Sequence, residues 1–245
     1  MAGKNPDKHT TANRLRVSLN RVQAIRSAAD AHPVWAERRL RLKAWQVERL
    51  ARSYADLLTH PRYGKAAEFF RTDLYGPRDV SQRDRDVERV FPAMVRILPA
   101  AALEVVATAL ELDALSEELD RDLALILWEE LNCGDRIDDP LYAEAYRRMG
   151  ERDRRERQIV VIAELGRDLD RLVHVPLLYQ SLKMMRQPAR VAGLAALQSF
   201  LERGFTAFRD MGSADEFLAI IVRRETAILE RIFAGDATPF AVENP

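Results

Sequence analysis

Two carboxylates, a phenol and a guanidinium stand at positions where amphipathic helices should be apolar, and these residue types together could do chemistry. With successive residues ~100° apart around a helix, Asp73 falls between Phe69 and Phe70 and close to Leu74. Asp84 falls among Val80, Val87 and Phe91, and Arg224 among Ile220, Ile221 and Ile228. A buried charge without a partner is costly, so Arg224 is expected to bridge Asp73, Asp84 or both, with the Tyr75 hydroxyl nearby. As a structural network, Asp73, Tyr75, Asp84 and Arg224 would fix the register of three helices. As a pocket, they would hold a polar ligand or perform acid–base work.

A second constellation lies on one helical stripe. Trp45 has Arg41 and Arg49 four residues to either side, and Arg38 and Arg52 seven to either side. An exposed indole there would stack on a nucleic-acid base while the arginines met phosphates. The structural alternative is a neighbouring helix over Trp45, with the arginine stems packed and their heads in water. Lys and Arg number 38 and Asp and Glu 38, a balance that speaks against nucleic acid as the partner.

Other chemistries lack their residues. A carboxylate-bridged di-iron bundle needs a Glu-x-x-His pair on each of two helices, and the sequence has none. His9, His32, His60 and His174 are scattered, and His174 reads as a helix-boundary histidine rather than a haem ligand. Asp135, Asp138 and Asp139 lack the ligand alternation of an EF-hand and fit turn and cap chemistry. There is no Gly-rich phosphate loop and no Gly-x-Ser-x-Gly elbow. Cys133 is the only cysteine, which excludes an intramolecular disulfide. The expectation is no metal, no cofactor, no catalytic residue and an activity other than catalysis.

The elements that must position these residues are helical throughout. No strand-like alternation appears, and the apolar residues recur at helical spacing in eight to ten segments. The fold class is therefore all-α: a single helical-bundle domain over residues 12–235, with flexible tails at 1–11 and 236–245. The second helix is expected to turn Leu40, Ala44, Val47, Leu50, Ala51, Tyr54 and Leu58 inward. Residues 100–131 are apolar on two sides, as in a central helix, with a possible break near Asp113 to Ser116. Among Gly193, Ala196, Gly204 and Ala207, small side chains suggest close helix approach. Ser213 and Glu216 have the spacing of a capping box.

Charge is balanced overall but not locally. Residues 1–65 carry 14 Lys or Arg against 5 Asp or Glu, and residues 66–150 carry 10 against 19. The simplest reading is that the basic N-terminal part docks on the acidic middle; the other is a basic face for an acidic partner. The N-terminus lacks the apolar core of a secretory signal, and no apolar run approaches the ~20 residues that span a bilayer. With one cysteine, this indicates a cytoplasmic protein without membrane contact.

The stretch EFFRTDLYGP, followed by FPAMVRILP and ELDALSEELD, resembles the bacterial FFLEELY-motif family. Phe69, Phe70, Leu74 and Tyr75 match its heptad. Arg71 stands in place of Leu, and Thr72 and Asp73 in place of Glu. The likeness is most specific over residues 66–120. It implies a helical bacterial protein with no inherited catalytic residue and supports an acidic group at position 73. The functional expectation is an interaction or ligand-sensing module, with a protein partner or small ligand. The alternative is an enzyme or small-ligand binder at the Asp73, Tyr75, Asp84 and Arg224 pocket.

Overall fold

The first helix begins earlier than its apolar pattern, because Asp7 caps it. In the computed structural model the Asp7 carboxylate accepts the His9 N–H at 3.3 Å, and α1 runs Lys8–Asp30. Thr11 and Ala12 are buried, so part of the expected N-terminal tail is helix. The described residues are 7–74, 86, 88–92, 95, 96, 98 and 100–241. Most of the helix expected after Asp79, with Tyr75 and Asp84, lies outside them.

Pro33 occupies the first turn of α2 (Pro33–Ser53), where its missing N–H costs nothing. Two short helices follow, α3 (Ala55–Thr59) and α4 (Gly64–Phe69), and α4 runs on as a π-turn over Phe70–Leu74. The long helix α5 (Ala100–Leu125) also ends in a π-turn, Ile126–Glu130. It does not break at Asp113 to Ser116. The Ser116 hydroxyl donates back to the Leu112 carbonyl at 2.8 Å, and Asp113 is occupied by an arginine from α1. Asp138 caps α6 (Asp139–Met149) by accepting the Leu141 N–H at 2.9 Å, and Gly150, at φ 68°, ends it. The remaining helices are α7 (Arg152–Val173), α8 (Leu178–Met184), α9 (Arg186–Val191), α10 (Ala195–Met211) and α11 (Asp215–Ala234). The fold is a single all-α domain with no strand among the described residues.

Helix α1 packs along the N-terminal part of α5, where Leu15, Leu103 and Ala107 are fully buried. One large apolar cluster joins α2, α5, α6 and the C-terminal half of α11 through Leu42, Trp45, Leu127, Tyr142 and Leu229. The other joins α4, α10 and the N-terminal half of α11 through Phe69, Phe208 and Phe217. Phe70 tilts against both Phe208 and Phe217, at 6.0 and 5.7 Å between ring centres. Helix α11 thus ties both clusters together. Phe240 is also buried, which puts part of the expected C-terminal tail against the core.

The small residues divide by role. A side chain at Gly204 would place its Cβ 2.7 Å from the Phe69 ring, so α10 meets α4 through a bare backbone. Gly193 instead has φ 72°, a turn position, and Ala196 is exposed. Gly204→Val is therefore expected to cost about 2 kcal/mol through overpacking. Thermal unfolding would show this as a midpoint lowered by about 4–8 °C.

Candidate functional site

The basic N-terminal part of the chain lies on its acidic middle. Arg14 of α1 bridges Glu104 and Glu111 of α5 at 2.8 Å each, and Arg21 reaches Glu118. From α2, Arg38 bonds Glu129 at 2.6 Å, Arg41 bonds Asp135 at 2.5 Å and Arg52 bonds Asp139 at 2.6 Å. These pairs are largely exposed, and each adds little stability alone.

At the centre of this seam the pairs are buried. Glu117 of α5 is 2% exposed and accepts Arg26 Nε and Nη2 at 3.0 and 2.9 Å, together with the Lys43 ammonium. Arg26 also holds Asp113, at 2.9 and 3.0 Å. Burial works to raise the Glu117 pKa, but the charges of Lys43 and Arg26 outweigh it and hold the carboxyl below its usual range.

One turn further along α5 the polar interior continues. Asp120 accepts Gln46 Nε2 at 2.8 Å; burial, opposed by Arg155 and Lys43, pushes its carboxyl up. Arg49 pairs with Glu225 at 2.6 Å, and the Tyr54 hydroxyl donates to the same carboxylate at 2.7 Å. Tyr142 and Tyr146 line this region, and burial raises both hydroxyls, which stay protonated. Arg155 of α7 is 5% exposed. It donates from Nη1 to Gln158 at 3.2 Å and lies 4.7 Å over the Tyr146 ring.

The expected bridge between Arg224 and Asp73 does not form. Arg224 makes a two-pronged bond to Asp56, at 2.8 and 2.7 Å, and donates to the Ser53 carbonyl at 2.9 Å. Asp73 is answered by Arg203 of α10, at 3.1 and 2.5 Å. The reason is topological: α4 packs on α10, whereas Arg224 sits on α11 opposite the end of α2. Each charge found a partner from another element, but not the same one.

The Trp45 stripe faces inward. Trp45 is 8% exposed, stacks on Tyr142 at 3.9 Å and meets the edge of Phe240 at 5.6 Å. Its arginines are taken by Glu129, Asp135, Glu225 and Asp139, so the stripe offers no open platform for bases. Toward the start of α2 the face expected inside is the outer one, with Leu40 48% exposed and Ala44 exposed, whereas Leu50, Tyr54 and Leu58 pack into the core as expected. Hydropathy counted Arg38 and Arg49 as solvent residues, but their stems pack while their heads meet carboxylates.

Three further candidates have structural roles. His174 Nδ1 lies 2.7 Å from the Asp170 carbonyl at the end of α7. Asp135, Asp138 and Asp139 pair with Arg41, cap α6 and pair with Arg52, and no metal-ligand group occurs among the described residues. Ser213 caps the Asp215 N–H, but Glu216 turns away to the Tyr63 hydroxyl instead of closing a capping box.

The C-terminal third presents a different kind of surface. Val175, Leu177, Met184, Met185 and Val191 are 48–88% exposed, and no Asp or Glu occurs between Asp170 and Glu202. Lys183 lies 4.4 Å over the Tyr179 ring, and Arg209 covers the same ring at 3.8 Å. Lys183 and Arg190 have no carboxylate partner among the described residues. Beside them is a shallow open groove of about 230 Å³ lined by Arg186, Arg190, Ala195, Gln198, Ser199 and Glu202.

The buried centre was findable by the criterion that singled out Asp73. Glu117 falls on the Leu103, Ala107 and Ala114 stripe of α5, and Arg155 on the Ile162, Gly166 and Leu169 stripe of α7. Removing Glu117's charge leaves Lys43 without its carboxylate and Arg26 with Asp113 alone. Glu117→Gln is therefore expected to cost about 3 kcal/mol, seen as a melting midpoint lower by about 6–12 °C. Because the folded-state pKa is depressed, this contribution is complete above the usual carboxylate range and disappears as pH falls through the folded value. Melting both proteins from pH 7 to pH 3 should show the gap closing only at the acid end.

No curated protein and no solved structure matches the chain. Among the described residues, no helix is long and apolar enough to cross a membrane. A family model described as Domain of unknown function (DUF8198) matches residues 25–239, and the chain belongs to that family.

Proposed function

We propose that the protein is a non-catalytic interaction module whose α8–α9 face docks an acidic, amphipathic segment of another protein. The observation that carries this reading is the coincidence of exposed Leu177, Met184, Met185 and Val191 with a carboxylate-free, cationic stretch. Arg186 is already held by Glu202, at 2.7 and 2.8 Å from its Nε, but an apolar patch with Lys183 and Arg190 outside any carboxylate bond suits a partner with apolar anchors and acidic flanks. Lys183 and Arg190 are the cations left to meet it; Arg190 also lines the open groove, in which Arg186 and Glu202 bond each other.

A protein partner fits better than a lipid surface. Helices that lie in a membrane interface present one long apolar face, whereas α8 and α9 have 7 and 6 residues and are separated at Met185. The resemblance at Phe69 to Tyr75 supports a bacterial origin, and the single cysteine supports a cytoplasmic setting. No observation favours an enzyme, since Arg224 and Asp73 are engaged by different helices.

The test is to crosslink the full chain in extracts of its host, identify the partner, purify it and titrate it by calorimetry. Crosslinks should map to residues 175–201. Arg190→Glu and Val191→Asp should each weaken binding by about tenfold or more, and affinity should fall with added salt. Partner contacts elsewhere on the chain would overturn the reading. So would binding to phosphatidylserine vesicles that these two variants abolish.

A further inference from the structure

We propose that Met184 and Met185 form a reversible oxidation site that changes the polarity of the α8–α9 face. The methionines among the described residues fall into two groups. Met211 is 2% exposed and Met149 packs against the apolar cluster of Trp45 and Tyr142, whereas Met184 and Met185 are 72% and 52% exposed. A thioether does not ionise, so access decides which sulfur an oxidant reaches. The single thiol is closed to the same chemistry. Cys133 is 5% exposed, donates to the Arg136 carbonyl at 3.7 Å, and is pushed up by burial, away from the reactive thiolate.

The pair stands at the centre of the exposed apolar surface. Met184 ends α8, and Met185 joins α8 to α9. No residue of α8 is buried, so an oxygen atom added to either sulfur enters no core. Leucine at both positions would supply the same apolar contact without a reactive lone pair.

The oxidant class is a peroxide. A sulfur lone pair takes one oxygen of hydrogen peroxide, the S–O bond forms, the O–O bond breaks and the other oxygen leaves as water. Sulfur loses two electrons and the peroxide gains them. A dithiol-dependent sulfoxide reductase returns two electrons and two protons and releases the added oxygen as water. The sulfoxide oxygen is a hydrogen-bond acceptor, and covering it with a partner's apolar anchor would strip it of water. Oxidation therefore makes the joint of the two helices polar and leaves the charges of Lys183 and Arg190 unchanged. Release of an acidic partner by this change rests on the docking proposed for this face; the chemistry at the two sulfurs does not.

The test treats the full chain with hydrogen peroxide and follows each methionine by peptide mass mapping. Met184 and Met185 should each gain one oxygen at least about tenfold faster than Met149 and Met211, and methionine sulfoxide reductases of both stereospecificities should remove it. The surface is titrated before and after with anilinonaphthalene sulfonate, an apolar dye carrying one negative charge. Oxidation should weaken dye binding by about threefold or more, and the reductases should restore it. The variant carrying Met184→Leu and Met185→Leu should bind the dye as wild type does and lose nothing under peroxide. The proposal is overturned if Met149 or Met211 oxidises as fast as the pair, if the reductases leave the sulfoxides in place, or if dye binding is unchanged by oxidation. It is also overturned if oxidation lowers the wild-type melting midpoint by more than about 2 °C and spares the leucine variant, because the sulfurs would then be packed. The partner found by crosslinking gives a separate readout. Weakened dye binding with unchanged partner affinity would overturn docking on this face and support the oxidation site alone.

Discussion

The bond between Arg26 and Glu117 is the constraint on which the rest of the helix arrangement depends. Glu117 lies on the inner stripe of α5 and is 2% exposed, so its charge must be answered by groups that reach into the bundle. Arg26 arrives from α1 and Lys43 from α2, which fixes both helices against α5 at one depth. Sliding α1 by one turn would move Arg26 by about 5.4 Å and leave the buried carboxylate to the cations of α2 alone. The exposed pairs at Arg14, Arg21, Arg38 and Arg41 repeat the same polarity along the seam. They add little energy each, but all of them agree on one register.

Stability comes mainly from the apolar clusters on either side of that seam. Trp45, Tyr142 and Leu229 form one and Phe69, Phe208 and Phe217 the other, with α11 running through both. Close backbone contacts keep these helices together. A Cβ on Gly166 would stand 2.4 Å from Leu218, so α7 and α11 approach as closely as α4 and α10 do at Gly204. Helices α8 and α9 lie outside this framework, and α8 has no buried residue. The proposed docking face is therefore carried by short, exposed, apolar helices on a firm bundle.

The fold class and many helix boundaries were legible because helical periodicity and proline positions are local signals. So was the docking of the basic part on the acidic middle, because a count of charges by segment already contained it. The partner of Asp73 was not legible. Spacing shows that a carboxylate sits on an apolar face, but which of several arginines meets it depends on which helices touch. The inner face of α2 was placed only at its C-terminal end, where Leu50 and Tyr54 pack inward; further up, Leu42 and Trp45 point inward instead of Leu40 and Ala44, for a related reason. Arg38 and Arg49 have long apolar stems, and only their carboxylate partners on other helices make the buried position tolerable. The buried Phe240 was hidden by a proline-containing ending that reads as a tail until Trp45 and Tyr142 are seen beneath it.

A double-mutant cycle on Arg26 and Glu117 tests the central claim most directly. Chemical denaturation would be measured for Arg26→Met, Glu117→Leu and the variant carrying both. If the pair fixes the seam, each single change strands buried charge and costs about 3 kcal/mol or more, while the double change costs less than the sum by at least about 2 kcal/mol. Additive losses would contradict the account, because they would mean that the two residues stabilise the bundle independently.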